Sequence, residues 1–189
     1  MADLTAAIQA AIESEEPIER ERVRVWIRDA IDLKTVTLLY RLSYEAWIQI
    51  KPNLEKDETC RLICRYLLLC ILENPQDGTG LQRYEAAGEL ESWFDHLSNT
   101  EGTQENLREV AAAITTLYLE SDTDVRLAIE TGFLEHVLEQ SKLRHLFSHW
   151  ADDERLKEGW QQALAWGEAH PDYMRGIREQ LRAFQSDKT

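Results

Sequence analysis

Residues 57–72 constrain the fold more than any other stretch. Leu62, Ile63, Leu67, Leu68, Leu69, Ile71 and Leu72 leave a helix over this span almost no polar face. A helix that is apolar on all sides must be covered on all sides, so this one is expected at the centre of the fold. Asp57 and Glu58 suit its positive N-terminal end. The chain's three cysteines, Cys60, Cys64 and Cys70, all fall within it. An odd number in an apolar setting argues against a secreted disulfide framework. Cys60 and Cys64 stand at i, i+4 and lack the second Cys-x-x-Cys pair of a zinc site, so a core role is expected for them.

The rest of the chain also reads as helical. It holds 25 Leu and 18 Ala against 6 Val, a helix-forming balance, and no segment reads as a strand pair. Expected helices cover 4–12, 17–31 with Pro17 as first residue, 34–50, 57–72, 81–97 and 104–119. A further one starts at Asp122 or Thr123, and others follow at 133–140, 143–150, 153–168 and 171–184. The loop Asn74-Pro75-Gln76-Asp77-Gly78-Thr79-Gly80 separates two of them. At 189 residues the expectation is one all-α domain over 1–189, with about 8–10 antiparallel helices in an irregular bundle or a short α-solenoid-like stack. Any subdivision is expected near 98–103, and a frayed tail at 185–189.

The segment 122–140 carries two apolar stripes. Val125, Ala128 and Ile129 make one; Leu127, Leu134 and Leu138 would make a second on the far side of a continuous helix. A change of axis at Gly132 resolves the conflict, since Gly commonly follows a helix end. Helix, Gly break and new apolar helix, from Asp124 to Leu134, resemble the middle of armadillo- or HEAT-type repeats. That resemblance implies a helical-repeat arrangement there, although no constant period recurs elsewhere.

Motifs that carry chemistry are sparse. No GxGxxG, GxxxxGKS/T or GxSxG occurs, and the loop at Gly78 and Gly80 lacks the strand that phosphate-binding motifs need. Glu16/Glu19 and Glu55/Glu58 have Glu-x-x-Glu spacing but no partner pattern in a later helix, and helix N-termini collect carboxylates for dipole reasons alone. His145 and His149, at i, i+4, are the candidate metal ligands. They project opposite the apolar stripe of Leu143, Phe147 and Trp150, as an exposed polar back would. His136 is expected to be buried and hydrogen-bonded. All six tryptophans, Trp47 among them, fall on or near an apolar stripe, so most fit core positions; Trp166 sits near a helix end. No cofactor is implied.

Charge is the stronger signal. With 21 basic and 35 acidic residues the net charge is −14, which disfavours direct binding to nucleic acid or an anionic membrane. The longest apolar run, Tyr66–Leu72, is too short to span a bilayer, and the N-terminus lacks a signal-peptide pattern, so a cytoplasmic protein is expected. From Glu73 to Glu109 nine acidic residues face only Arg83 and Arg108. On the helix 81–97, Leu90, Trp93, Phe94 and Leu97 form the buried face, and Glu85, Glu89, Glu91 and Asp95 project beside Tyr84. Like charges at i, i+4 disfavour an isolated helix, and a basic partner would offset this. Arg20, Arg24 and Arg28 make a basic stripe on the second helix, satisfied by neighbouring Glu residues or by a second copy in a homodimer.

Three functional classes follow. The first is a non-catalytic acidic binding module, in its sharpest form an immunity- or antitoxin-type inhibitor of a basic, nuclease-like toxin, with Tyr84, Glu85, Glu89, Glu91 and Asp95 as its contact surface. The second is a helical adaptor or regulatory subunit. The third is an all-helical metal-dependent enzyme, using His145 and His149 or scattered carboxylates.

Overall fold

The structure, a computed structural model, describes residues 4–14, 16–44 and 49–186. The fold is all-α, as expected from the residue balance. By internal contacts the chain forms two compact units, Met1–Ala86 and Ala87–Thr189, where the sequence placed any subdivision near 98–103.

The first unit contains α1 (Leu4–Ser14), β1 (Ile18–Glu19), α2 (Arg20–Asp29), α3 (Leu33–Tyr44), β2 (Ile50–Lys51) and α4 (Lys56–Glu73). α3 packs against both α4 and α1. Ile8, Val36, Leu39, Leu42, Cys70 and Ile71 are fully buried. α4 carries the apolar segment, and Cys60 and Cys64 join Cys70 in the core as free thiols. Its coverage is incomplete: Leu72 is 45% exposed at the last turn. A capping box starts α4, with Glu58 Oε2 accepting the Glu55 amide at 2.8 Å. Asn74 ends it in the left-handed conformation, φ 48°. Arg83 then donates to the orphan carbonyls of Ile71 (2.8 Å) and Leu72 (3.2 Å).

Two expectations fail here. The second helix begins at Arg20, not Pro17, because Ile18 and Glu19 pair in parallel with Ile50 and Lys51. This pairing is itself the strand contact that the sequence did not suggest. Ile18 and Ile50 are buried across from each other, and two residues are too few to display a period of 2. The third helix ends at Tyr44 within the described residues; Trp47 lies outside them.

Most of the second unit follows α5 (Arg83–Ser98), namely α6 (Gln104–Glu120), α7 (Thr123–Ile129), α8 (Glu135–Leu138), α9 (Lys157–Ala169) and α10 (Tyr173–Ser186). Two 3₁₀ turns, Ser141–Leu146 and Ser148–Asp152, stand where a helix over 143–150 was expected. The core is aromatic. Phe94, Phe133 and Phe147 meet with centroids 5.5–6.1 Å apart, and Trp150 lies edge-to-face 5.8 Å from Phe147 and tilted 4.7 Å from Tyr118. The Trp150 indole N–H donates to Thr115 Oγ1 at 2.9 Å, so this fully buried ring leaves no polar atom unpaired. Of the tail expected to fray, 185 and 186 continue α10, and 187–189 lie outside the described residues.

Gly132 does not break the chain's axis. Asp122 caps α7 by accepting the Val125 amide at 3.0 Å. The helix then runs through a π-turn at Glu130–Leu134 directly into α8. Ile129, Glu130, Leu134 and Glu135 all keep right-handed helical dihedrals. A π-turn inserts one residue and sets back the helical phase by about 100°. The setback brings Phe133, Leu134, Val137 and Leu138 onto the face begun by Val125, Ala128 and Ile129, and all seven are buried. Leu127, assigned above to a second stripe, is 46% exposed.

Candidate functional site

α5 carries the proposed contact residues, and its local chemistry sorts them. Gln82 stands at the N-cap, and Glu85 three residues on accepts the Gln82 amide at 3.0 Å, half of a capping box. The Glu85 side chain is therefore held at the helix start while remaining exposed. Tyr84 is 53% exposed. Glu89 is exposed one turn after Glu85. Leu90, Phe94 and Leu97 form the buried face as expected, and Trp93 is half-buried.

Glu91 corrects the expected surface. It is 1% exposed, on the flank of the buried face rather than on the acidic one. At 100° per residue Glu91 lies only about 60° from Phe94 and about 160° from Glu89, so helical geometry separates it from the outer carboxylates. Asp95 is half-buried, with Oδ1 accepting the Gln140 amide at 2.8 Å and the Asn99 amide at 3.2 Å. It works as a structural acceptor. The outward-facing set reduces to Tyr84, Glu85 and Glu89. Among the described residues no cation pairs with Glu85 or Glu89. The two arginines of this stretch are engaged elsewhere, Arg83 on the α4 carbonyls and Arg108 on Glu105 at 3.0 Å.

The other candidates separate cleanly. His145 and His149 are both exposed and line a groove with Arg108, Thr115 and Thr116. His145 Nδ1 lies 2.8 Å from the Lys142 carbonyl, and His149 Nε2 lies 3.4 Å from Thr115 Oγ1. They sit on successive 3₁₀ turns, not on one α-helical face, so their i, i+4 spacing does not converge them as a helix would. Among the described residues no group of three or more His, Cys, Asp or Glu side chains gathers in metal-binding geometry.

Glu55 and Glu58 belong to the Arg stripe. Arg20 reaches Glu55 at 3.1 Å, and Arg24 pairs with Glu58, Glu55 and Glu21. Burial pushes the Glu58 carboxyl up, but the Glu55 amide and the Arg24 guanidinium outweigh it and hold Glu58 below the usual range. Burial pushes the Cys70 thiol up.

Two polar pairs shape the interior of the second unit: sequence reasoning missed the first, and for the second it expected a hydrogen-bonded His136 without naming its partner. The Tyr118 hydroxyl donates to the Glu130 carboxylate at the π-turn. Burial, then this bond, push the Tyr118 phenol well above its usual value. Glu139, 5% exposed, accepts from the Met174 amide and meets His136, which is half-buried against the Trp166 ring. Both pairs depend on helix phase, which the π-turn alters.

Compared with known proteins, no family model matches the chain, and no curated protein and no solved structure matches it. The armadillo- and HEAT-like pattern at 122–140 thus rests on its own residues, and the continuous helix through Gly132 departs from it. No helix among the described residues is long and apolar enough to cross a membrane.

Proposed function

We propose that the chain is a non-catalytic acidic binding module of the immunity or antitoxin kind, acting in the cytoplasm to neutralise a basic, nuclease-like enzyme. One observation carries this reading. Exposed Tyr84 stands on α5 with two exposed carboxylates, Glu85 and Glu89, that no cation in the described residues pairs with. An aromatic anchor beside unpaired charge suits a cationic protein surface, where opposite charge speeds encounter and the ring supplies contact area. The like charges one turn apart disfavour the free helix slightly, and a basic partner relieves that. The net charge of −14 extends the attraction beyond the contact itself. Glu91 and Asp95 drop out of the proposed surface because their carboxylates serve the interior.

Affinity capture from the native host at low and high salt, with wild type beside Glu85→Gln/Glu89→Gln, tests the reading. Gln at position 85 keeps an acceptor for the Gln82 amide, so the double variant removes charge without removing the cap. One stoichiometric basic partner is expected on the wild type, released as salt rises and retained less by the variant. Equal retention by both, or no basic protein retained, overturns the proposal.

A further inference from the structure

The end of α9 and the start of α10 meet in an aromatic corner of the second unit. Trp166 and His170 stand at i, i+4, and their rings stack 4.4 Å apart. Tyr173 meets both rings edge-to-face, at 5.7 Å and 6.1 Å. His136 of α8 meets the Trp166 ring at 4.9 Å. Elsewhere in this unit Phe94, Phe133, Phe147 and Trp150 are fully buried. Here Tyr173 is 49% exposed and His170 is exposed as well. Tyr and Trp are the residues on which protein contacts most often centre.

One carboxylate borders this corner without a partner of its own. Glu135 precedes His136 on α8, and the charges of His136, Glu130 and His170 all act on it. Among the described residues no hydrogen bond and no ion pair reaches it. The acids around it are engaged. Glu139 holds His136 and the Met174 amide, and Glu130 takes the Tyr118 hydroxyl. Glu168 pairs with Arg144 at 3.3 Å, and Asp172 with Arg175 at 3.1 Å. Glu135 is half-buried, and burial is the largest influence on it, disfavouring the ionised form. A glutamine would avoid that penalty. Side chains that cost stability where a neutral one of the same shape would not belong to functional positions.

We infer that this corner is an interaction surface for an arginine side chain of a cationic partner protein, with Glu135 as counter-ion and the rings of Tyr173, His170 and Trp166 as the bed for its stem. Charge selects the occupant. The group without a partner is an anion, and the net charge of −14 draws cationic proteins. Aromatic rings accept a cation nearby and the methylenes of its stem alongside. Arginine fits better than lysine, since its planar head stacks on rings and pairs with a carboxylate through two N–H groups. The choice of a basic partner rests on the function proposed above, but the corner shares no residue with the α5 surface.

Titration of the full chain with the peptide Ac-Gly-Arg-Gly-NH2, followed at the Trp166 indole N–H by NMR, tests the inference. The same peptide with citrulline in place of arginine keeps the shape and removes the charge. Saturable millimolar binding of the arginine peptide is expected, as for one exposed cation on a surface, and several times weaker binding of the citrulline peptide. Glu135→Gln should weaken binding severalfold while raising the melting temperature at pH 7, the reverse of what damage to the fold would do. Tyr173→Ala should weaken it as well, and Glu85→Gln/Glu89→Gln should leave it unchanged. No shift at tens of millimolar peptide, equal affinity for the citrulline peptide, unchanged affinity in either Glu135→Gln or Tyr173→Ala, or loss of binding in the α5 double variant overturns the inference. The α5 surface is decided by its own capture experiment, so the two can fail separately.

Discussion

Glu139 fastens the start of α10 to the end of α8: its Oε2 accepts the Met174 backbone amide at 2.9 Å, 35 residues further along the chain. Its Oε1 meets His136 Nδ1 at 2.8 Å, and its side chain is only 2% exposed. Truncation would leave a backbone donor and an imidazole without their acceptor. Glu139→Ala is expected to cost about 1–3 kcal/mol and to speed hydrogen exchange at Met174. Glu139→Gln keeps one acceptor and should recover part of the loss. Urea denaturation with exchange mass spectrometry over 171–177 reads both, and unchanged exchange in the alanine variant would refute the tether.

Two glycines should respond to alanine with opposite signs. A Cβ at Gly167 would sit 2.7 Å from the Leu138 carbonyl carbon and 2.8 Å from Glu139 N, both backbone atoms. α9 approaches the preceding helix only because position 167 has no side chain. Gly167→Ala is expected to destabilise by about 1–3 kcal/mol through overpacking. Gly88, inside α5, has open space around its Cβ position. There the same change should stabilise by about 0.5–1 kcal/mol, by reducing the freedom of the unfolded chain. Paired denaturant curves decide it.

Two glutamates should respond oppositely to pH. Burial lifts the Glu135 carboxyl above its ordinary value, and Glu130 adds to the lift while His136 opposes it. The folded state therefore holds the proton more tightly than the unfolded chain, and stability falls as pH rises through that interval. Glu135→Gln is expected to stabilise at pH 7, with the difference vanishing below about pH 4, where both states carry the proton. Glu58 is held below the ordinary range, so it contributes stability above its unfolded value and loses it as pH falls. Glu58→Gln should destabilise at pH 7 and become neutral in acid. Urea midpoints for both variants across pH 2.5–7 test the signs, taking about 4.3 as the unfolded value.

The fold class was legible because long helices announce themselves by period: α4 and α6 match their expected spans within one residue. The β1–β2 pairing was not, since two residues have no period to detect. Glu91 was misplaced by weighing charge above angle; its position, 60° from Phe94, already put it beside the core. Gly132 misled for a different reason. Two conflicting stripes show that helix phase changes between Ile129 and Leu134, and a break and a π-turn both satisfy that requirement.

The π-turn also fixes where this chain can change length. Elsewhere in a helix, losing one residue swings every later side chain about 100° around the axis and faces the wrong groups inward. Between Glu130 and Leu134 the surplus residue is already present. Removing Thr131 would restore an ordinary helix with Val125, Ile129, Phe133 and Val137 still on one side. The segment is thus a splice point: the helix ahead and the helix behind keep their own facing, and a one-residue difference in length is absorbed in the turn that joins them.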